Sequence, residues 1–295
     1  MPAGAIRMSL VIATRRRPDS LRRTLHSLER CDPLPDEVIV VDGDEGQSAR
    51  PLIDELSADL GARYVPGPAG LTRQRNAGVE AASGDVVVFA DDDVTFGPTV
   101  FAVLAEAFAD PAVVGATGWM IEPESRRIGQ RQSPLWRLLP GRPAEGSMTA
   151  YGFPRRITSP DVPRDVEFMH GCFMSARRDL ARELRFDEEL PGYGLLEDED
   201  FAYRLSRRGR IRFLPAATVV HHKTGFSSHE SRDFNRTLVV NRAYLFRKNF
   251  VSTPLARAQF VVLVAMLALH RLLNGDFAGV RGLMDGSVQA WRRGR

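Results

Sequence analysis

The stretch DVVVFADDD, residues 85–93, decides the fold, because an apolar run in it is followed at once by three carboxylates. The apolar run, residues 86–90, is short and rich in β-branched side chains, which predicts a strand buried on both faces. Adjacent carboxylates repel one another unless a cation or hydrogen-bond donors compensate. The stretch therefore predicts a buried strand that ends in a charged site.

Similar apolar runs and helical faces precede this stretch. Strands are predicted at residues 9–14, 37–41 and 63–65, and helices at 21–28, 52–60 and 73–82. Strands that alternate with helices at this pitch predict an α/β fold, in which a mostly parallel sheet is covered by helices on both faces. The motif G-x-G-x-x-G does not follow the first strand, which disfavours the dinucleotide-binding version of this architecture.

The composition excludes several classes of protein. The chain is 43% hydrophobic and 26% charged, which is ordinary for a globular protein and excludes disordered and low-complexity classes. A net charge of +3 gives no indication of a nucleic-acid partner. Cys31 and Cys172 lie far apart in sequence and form no disulfide framework, and the N-terminus lacks the order of a signal peptide. A cytoplasmic location is therefore expected.

The acidic triplet Asp91, Asp92 and Asp93 is the sharpest chemical feature of the sequence. Carboxylate oxygens are the ligands that Mg²⁺ and Mn²⁺ prefer, and Mg²⁺ is commonly shared between protein carboxylates and substrate phosphates. A solvated acidic turn or a helix N-cap is the alternative interpretation. The position at a strand end favours the metal site, because ligands of open α/β sheets bind beyond the carboxyl ends of the strands.

Further polar residues follow later along the chain. The run at residues 197–200 is acidic and begins a predicted helix, where it is either a favourable charge at the helix dipole or the source of a general base. His221 and His222 follow a predicted strand. They are either one core and one surface histidine, or they supply a metal ligand. Arg75 and Asn76 lie on a helix, where they either form ordinary surface contacts or present their side chains to a phosphate.

In this order, the motifs resemble the family 2 glycosyltransferases, over about residues 8–225. The stretches that carry the resemblance are VIATRRRP at 11–18, VVDGD at 40–44, GLTRQRNAG at 70–78, GDVVVFADDDV at 84–94, RFDEEL at 185–190, LEDEDF at 196–201 and PAATVVHH at 215–222. The resemblance implies the GT-A fold, which is Rossmann-like, and an inverting enzyme similar to the rhamnosyltransferase-like bacterial members. Ala13, where a proline is common, and Leu196, where a glycine is usual, depart from the family pattern.

The resemblance also implies roles for individual residues. Asp198 resembles the catalytic base, and Glu197 beside it is a second candidate for that role. Asp93 resembles the metal ligand of a D-x-D pair, joined by Asp91 and by His221 or His222, for Mg²⁺ or Mn²⁺. The residues implied in nucleotide-sugar binding are Thr14, Arg17, Asp42, Asp44, Arg75, Asn76, Asp91 and Asp92.

The expected activity is transfer of a sugar from a nucleotide-diphosphate sugar to an acceptor hydroxyl. The acceptor class would be a glycan, a lipid-linked glycan or a small molecule, in cell-surface polysaccharide, glycolipid or secondary-metabolite glycosylation. A metal-dependent nucleotidyltransferase and a two-carboxylate glycoside hydrolase are the alternative enzymes. A catalytically silent lipid- or polymer-binding module is the non-enzymatic alternative.

The expected organisation has two parts. Residues 1–228 form the GT-A domain, with a nucleotide-sugar half at 1–115 and an acceptor half at 116–228. Within the second half, residues 122–165 are rich in Pro, Gly and Arg, which predicts a long loop or lid. Residues 229–295 form a helical segment.

Residues 254–273 within this segment are predicted to form one helix, which begins with Pro254. Its uncharged run has 12 residues, AQFVVLVAMLAL, which is short for a membrane span. The helix is therefore either an ordinary core helix or an interfacial helix whose flanking arginines meet anionic lipid. The second interpretation predicts peripheral contact with the inner face of the cell membrane.

Overall fold

A computed structural model of the chain describes residues 6–122, 144–157, 160–190, 193–222 and 228–293. The chain divides into two units, of which the first comprises residues 1–123 and 157–223 and the second comprises 124–156 and 224–295. Most of the predicted loop or lid at 122–165 lies outside the described residues.

The first unit is built on one sheet, to which the described residues contribute nine strands. These are β1 (Met8–Thr14), β2 (Glu37–Asp42), β3 (Ala62–Pro66), β4 (Val86–Asp91), β5 (Val94–Phe96), β6 (Val113–Ile121), β7 (Arg164–Val166), β8 (Phe173–Arg177) and β9 (Arg210–His221). Their spatial order is β3-β2-β1-β4-β8-β6-β9-β5, and β7 pairs with β9. The strands β3, β2, β1 and β4 are parallel, whereas β8 runs antiparallel to both of its neighbours, β4 and β6.

Six helices accompany the sheet in the described part of this unit. They are α1 (Pro18–Leu28), α2 (Arg50–Leu60), α3 (Leu71–Ala81), α4 (Val100–Phe108), α5 (Arg178–Leu184) and α6 (Glu197–Ser206). The core contains apolar side chains of α1, α2 and α4 packed with those of β1, β2 and β4. The α/β fold class expected from the alternating pattern is thus present, and the sequence pattern did not reveal that an antiparallel strand is inserted beside β4.

The register of the central strands explains why their polar ends meet. Thr14 on β1 pairs with Asp42 on β2, and Ala13 pairs with Asp91 on β4. The strand β5, which is last in the strand order, runs antiparallel to β9, so that Val94 pairs with His221. Backbone pairing therefore brings residues that are far apart in sequence to the ends of neighbouring strands.

The second unit contains three helices in its described part: α7 (Ser228–Asn249), α8 (Pro254–Leu273) and α9 (Phe277–Arg293). The helix α8 has the bounds predicted from the sequence. The Thr253 side chain caps it by accepting a hydrogen bond from the backbone N–H of Ala256 (3.0 Å), and Pro254 follows in the first turn. An apolar cluster of Tyr151, Phe246 and Leu263 holds α8 against α7.

Gly78 on α3 lies close to Val11 of β1. A Cβ atom at position 78 would lie 2.2 Å from Cγ1 of Val11, which is 1% exposed. We therefore expect Gly78→Ala to lower the free energy of unfolding by about 1–3 kcal/mol through overpacking. Denaturant titration measures this difference.

The exposed Arg73→Ala on the same helix is the control, with an expected change within about 0.5 kcal/mol. Adding Val11→Ala to Gly78→Ala should cost less than the two single changes together, because it removes the clashing methyl groups. Additive losses would show that the close approach is not the cause.

Candidate active site

Three potential metal ligands meet where β4 and β9 end. One side-chain atom each of Asp91, Asp93 and His221 lies within 4.8 Å of the other two. The Nε2 atom of His221 is 3.1 Å from Oδ1 of Asp93, and both side chains are about nine-tenths buried. The buried Asp93 Oδ1 and His221 Nδ1 form no hydrogen bond of good geometry with the described residues. Two carboxylates and an imidazole with unsatisfied buried atoms fit a divalent cation of the Mg²⁺ or Mn²⁺ type.

The two adjacent histidines have different surroundings. His221 faces the aspartates, whereas the exposed His222 lies with Nε2 2.9 Å from the hydroxyl of Thr95. Successive side chains of a strand point to opposite faces, so only one of the pair can face the site. The structure therefore brings His221, and not His222, to the candidate metal ligands.

Arg17 forms a fork over the acidic triplet. Its guanidinium donates to Oδ1 of Asp92 (2.7 Å) and to Oδ2 of Asp93 (2.8 Å). The hydroxyl of Thr14 donates to the other oxygen of Asp92 (2.7 Å). Burial raises the pKa of Asp92 to about 6, against the lowering effects of Thr14 and Arg17. Asp92 thus links β1 to the acidic triplet, and both of its carboxylate oxygens accept hydrogen bonds from Thr14 and Arg17.

The polar end of β2 is organised by Asp42. One of its oxygens accepts from the backbone N–H of Asp44 (2.9 Å) and the other from that of Ala49 (3.0 Å). Asp44 forms an ion pair with Arg16, in which Arg16 Nε lies 2.8 Å from Asp44 Oδ1. The hydrogen bond from Arg16 lowers the pKa of the Asp44 carboxyl. Asp42 is 1% exposed, so its observed role is to shape the loop in which Asp44 lies.

Gln74 joins the ends of β1 and β2, a role that the sequence motifs do not indicate. Its side-chain amide donates to the carbonyl of Thr14 (2.8 Å) and to that of Val41 (2.9 Å). A Cβ atom at Gly43 would lie 2.8 Å from the Gln74 side chain, so the glycine makes room for it. The only signal in the sequence is the position of Gln74 between Arg73 and Arg75.

Arg75, for which the sequence leaves open a surface contact or a phosphate contact, is buried inside the protein. Arg75 is 1% exposed and donates to Glu197 Oε1 (2.6 Å), to Asp91 Oδ1 (3.0 Å) and to the carbonyl of Gly171 (2.7 Å). The face of the Phe186 ring lies 5.4 Å from the guanidinium carbon. All of these partners are protein groups, so Arg75 connects the candidate metal site to the acidic run of α6.

Asn76 is likewise turned into the protein. It is 2% exposed, its amide donates to the carbonyl of Phe186 (3.0 Å) and to Glu188 (2.8 Å), and its oxygen accepts from the backbone N–H of Phe186 (2.8 Å). These bonds hold the loop that precedes α6 against α3. The described contacts of Asn76 are thus structural, and its role in nucleotide-sugar binding stays a prediction.

Asp198 is held by two backbone donors at the start of α6. Its Oδ2 accepts from the N–H of Gly171 (2.8 Å) and its Oδ1 accepts from the N–H of Glu199 (2.9 Å). A Cβ atom at position 171 would lie 3.2 Å from Oδ2 of Asp198 and 2.9 Å from Oε1 of Glu197. Gly171 is thus a second residue that the sequence analysis missed as part of the site.

The two neighbouring carboxylates of this run differ in environment. Glu197 is 5% exposed and faces Arg75, and burial raises its pKa to about 8, with the charge of Asp198 acting in the same direction. Asp198 is half-buried. Leu196 before them has φ 76°, a left-handed conformation that costs a non-glycine residue about 1–2 kcal/mol, which explains why glycine is usual in the family at this position.

Removal of the Arg75 guanidinium should strongly destabilise the site. We expect Arg75→Met to lower the free energy of unfolding by about 3–5 kcal/mol, because Glu197 and Asp91 lose their buried countercharge. Arg75→Lys should recover part of this loss, since a single ammonium replaces the charge but not the fork. Denaturant titration of the three proteins measures the order.

The exposed pair Arg22 and Glu55, whose two hydrogen bonds are 2.8 Å long, provides the control. Arg22→Ala should lower the free energy of unfolding far less than Arg75→Met does, because exposed ion pairs contribute little. Equal losses for Arg75→Met and Arg22→Ala would contradict the bridging role of Arg75.

Comparison with known proteins places this chain in a family. The model of the family described as glycosyl transferase family 2 matches residues 9–185. The chain is 28% identical over 232 residues to the uncharacterized glycosyltransferase YwdF of Bacillus subtilis (strain 168), which covers 77% of this chain and 78% of that protein.

Solved structures with the same fold are similar at lower sequence identity. The mannosyltransferase PcManGT from Pyrobaculum calidifontis in complex with GDP-Man and Mn²⁺ matches with a TM-score of 0.61 and 18% identity, covering 98% of this chain and 88% of that one. GalNAc-T7 with UDP, GalNAc and Mn²⁺ matches with a TM-score of 0.60 and 18% identity, covering 81% of this chain and 48% of that one. The match thus spans about half of GalNAc-T7. The resemblance seen in the motifs is confirmed: the chain has the GT-A fold and belongs to glycosyl transferase family 2, as a glycosyltransferase.

Proposed function

We propose that the protein transfers a sugar from a nucleotide-diphosphate sugar to an acceptor hydroxyl by a metal-dependent, inverting single displacement. The observation that carries this proposal is the bridge of Arg75 between Asp91, in the candidate metal site, and Glu197, which adjoins Asp198. This bridge keeps a metal-ligating group and a candidate base in one site. The similar structures with UDP or GDP-Man and Mn²⁺ support a nucleotide donor and a divalent metal.

Asp91, Asp93 and His221 are proposed to hold the metal ion. A bound Mg²⁺ or Mn²⁺ would supply positive charge that stabilises a diphosphate leaving group. Arg17 donates to Asp93 and is 43% exposed, so it is also placed to contact the diphosphate. Thr14, Asp42 and Asp44 lie at the neighbouring strand ends, where they are proposed to shape the pocket of the nucleoside.

Asp198 is proposed to take the proton of the acceptor hydroxyl. As this proton moves to the carboxylate, the hydroxyl oxygen bonds to the anomeric carbon and the bond from that carbon to the diphosphate oxygen breaks. The nucleoside diphosphate leaves from the opposite face, which inverts the anomeric configuration. Glu197 is the less suitable base, because its carboxylate is buried and bonded to Arg75.

The family membership removes the support for a nucleotidyltransferase, a glycoside hydrolase or a silent binding module, and no contact in the described residues favours them. The proposed acceptor is a hydroxyl of a glycan, a lipid-linked glycan or a small molecule. Cell-surface polysaccharide, glycolipid or secondary-metabolite glycosylation is the proposed setting. A cytoplasmic location is proposed because Cys31 and Cys172 are both buried as free thiols.

Replacing Asp198 by Asn should remove the basic carboxylate while the shape of the side chain is kept. We expect kcat to fall by about 10²–10⁴-fold, because that is the usual contribution of a general base, while donor binding persists. Release of nucleoside diphosphate from purified protein measures this change. Glu199→Gln, a neutralised carboxylate in the same run, is the matched control and should keep most of the activity. Normal turnover by Asp198→Asn would contradict the assignment.

Metal and nucleotide binding can be tested without turnover. We expect Mn²⁺ together with one of UDP, GDP, dTDP or CMP to raise the melting temperature. At a hundredfold excess of ligand over Kd, binding adds about 2.7 kcal/mol to the free energy of unfolding. Asp93→Asn should remove the Mn²⁺-dependent part of this shift. Asp110→Asn, an exposed carboxylate paired with Arg210, should leave it unchanged. Absence of any Mn²⁺-dependent shift in the unmodified protein would refute the metal site.

A further inference from the structure

The second unit exposes an unusual amount of apolar surface. Of the fourteen large apolar residues that are exposed among those described, eleven lie between Val251 and Trp291. We call the ten that lie on the two last helices the outer apolar face. They are Leu255, Val261, Val262, Leu269, Leu272 and Leu273 of α8, and Phe277, Met284, Val288 and Trp291 of α9. Contiguous exposed apolar surface of this kind marks an interaction site.

The spacing of these residues shows that they form a stripe on each helix. On α9, Phe277, Met284, Val288 and Trp291 recur at intervals of seven, four and three residues, which is the period of one helix face. On α8, the six residues fall within an arc of about 120° at 3.6 residues per turn. The exposed residues are thus concentrated and not scattered around the helices.

The opposite side of each helix is already occupied. Ala256 and Leu263 of α8 pack in the cluster that contains Phe246, and the ring of Phe260 stacks on that of Phe246 with centroids 5.3 Å apart. On α9, a Cβ atom at Gly282 would lie 2.2 Å from a backbone oxygen of α7. Both helices therefore have a packed inner side, and the exposed residues of the outer apolar face lie on the other side.

Charge distinguishes this region from the rest of the chain. Residues 228–293 hold ten of the 40 lysines and arginines but only four of the 37 acidic residues, which leaves 30 basic and 33 acidic residues elsewhere. The positive excess of the chain thus comes from these helices. The exposed cations beside the outer apolar face include Arg257, Arg281 and Arg292. An apolar face rimmed by arginines matches a surface with anionic headgroups above an apolar interior.

We propose that the outer apolar face docks on a bilayer that carries anionic lipid, with α8 and α9 lying in the interfacial plane. The helix α8 is long and apolar enough to cross a membrane by length and composition. Its packed inner side favours docking instead, because a spanning helix would have to leave the cluster around Phe246. A second copy of the chain is the less suitable occupant, since two such basic regions would repel each other.

Vesicle flotation of the full chain tests this proposal, with equimolar phosphatidylglycerol and phosphatidylcholine vesicles compared with phosphatidylcholine alone. We expect binding to the anionic vesicles at low salt, loss of binding at high salt, and little binding to the neutral vesicles. The double variant Arg257→Glu/Arg281→Glu should bind at least tenfold more weakly, because each arginine near the surface contributes about fivefold. The variant Phe277→Ser/Trp291→Ser should also bind more weakly, because both changes remove exposed apolar surface.

The control Arg23→Glu/Arg30→Glu makes the same charge change at exposed positions of the first unit and should alter binding less than twofold. Unchanged melting temperatures establish that all variants are folded. Equal losses in the control and the test variants would overturn the proposal, because they would show a response to net charge only. Resistance to alkaline carbonate extraction would also overturn it, by showing that α8 spans the bilayer. The proposal would also be overturned if the full chain did not bind anionic vesicles and eluted as a dimer.

Discussion

A guanidinium with no access to solvent needs acidic partners, and Arg75 meets this need with groups from three separate parts of the chain. Its partners are Asp91 at the end of β4, Glu197 at the start of α6, and the carbonyl of Gly171 before β8. Because an unpaired buried charge is very unfavourable, these elements must keep their relative positions. Gly171 accepts from Arg75 through its carbonyl and donates to Asp198 through its own N–H. The geometry of the site therefore follows from one buried cation.

The aspartates at the strand ends are chemically identical groups that the fold has given different environments. Asp42 uses both oxygens on backbone donors, and Asp92 uses both on Thr14 and Arg17. Asp93 keeps one buried oxygen without a hydrogen bond of good geometry to the described residues. Both oxygens of the first two groups are engaged by the protein, whereas Asp93 has a buried oxygen left for a ligand. At the strand ends, hydrogen bonding to the protein thus distinguishes Asp42 and Asp92 from Asp93.

The second unit places its polar and apolar groups differently. Arg242 is buried and donates to the carbonyl of Gly152, while apolar residues such as Trp291 and Leu255 are exposed. The close packing of α9 on α7 depends on Gly282 and Gly286, at which a Cβ atom would lie within 2.5 Å of a backbone oxygen. Small residues on the inner side allow the helices to approach, and the large side chains are left outside. The first unit shows the reverse arrangement, with its large apolar residues in the core.

Local periodicity in the sequence was sufficient to predict the alternating strands and helices, the polar strand ends and the bounds of α8, because neighbours in sequence decide which face of an element is apolar. The resemblance of the ordered motifs was sufficient to predict the family. The partners of the buried charges were not predictable in this way, since Arg75 and Glu197 are separated by 122 positions. Only the tertiary structure decided that Arg75 and Asn76 face inward, that His221 rather than His222 meets Asp93, and that β8 lies antiparallel beside β4. Each of these outcomes depends on long-range pairing that turns a side chain toward or away from the site, and the local pattern carries no information about it.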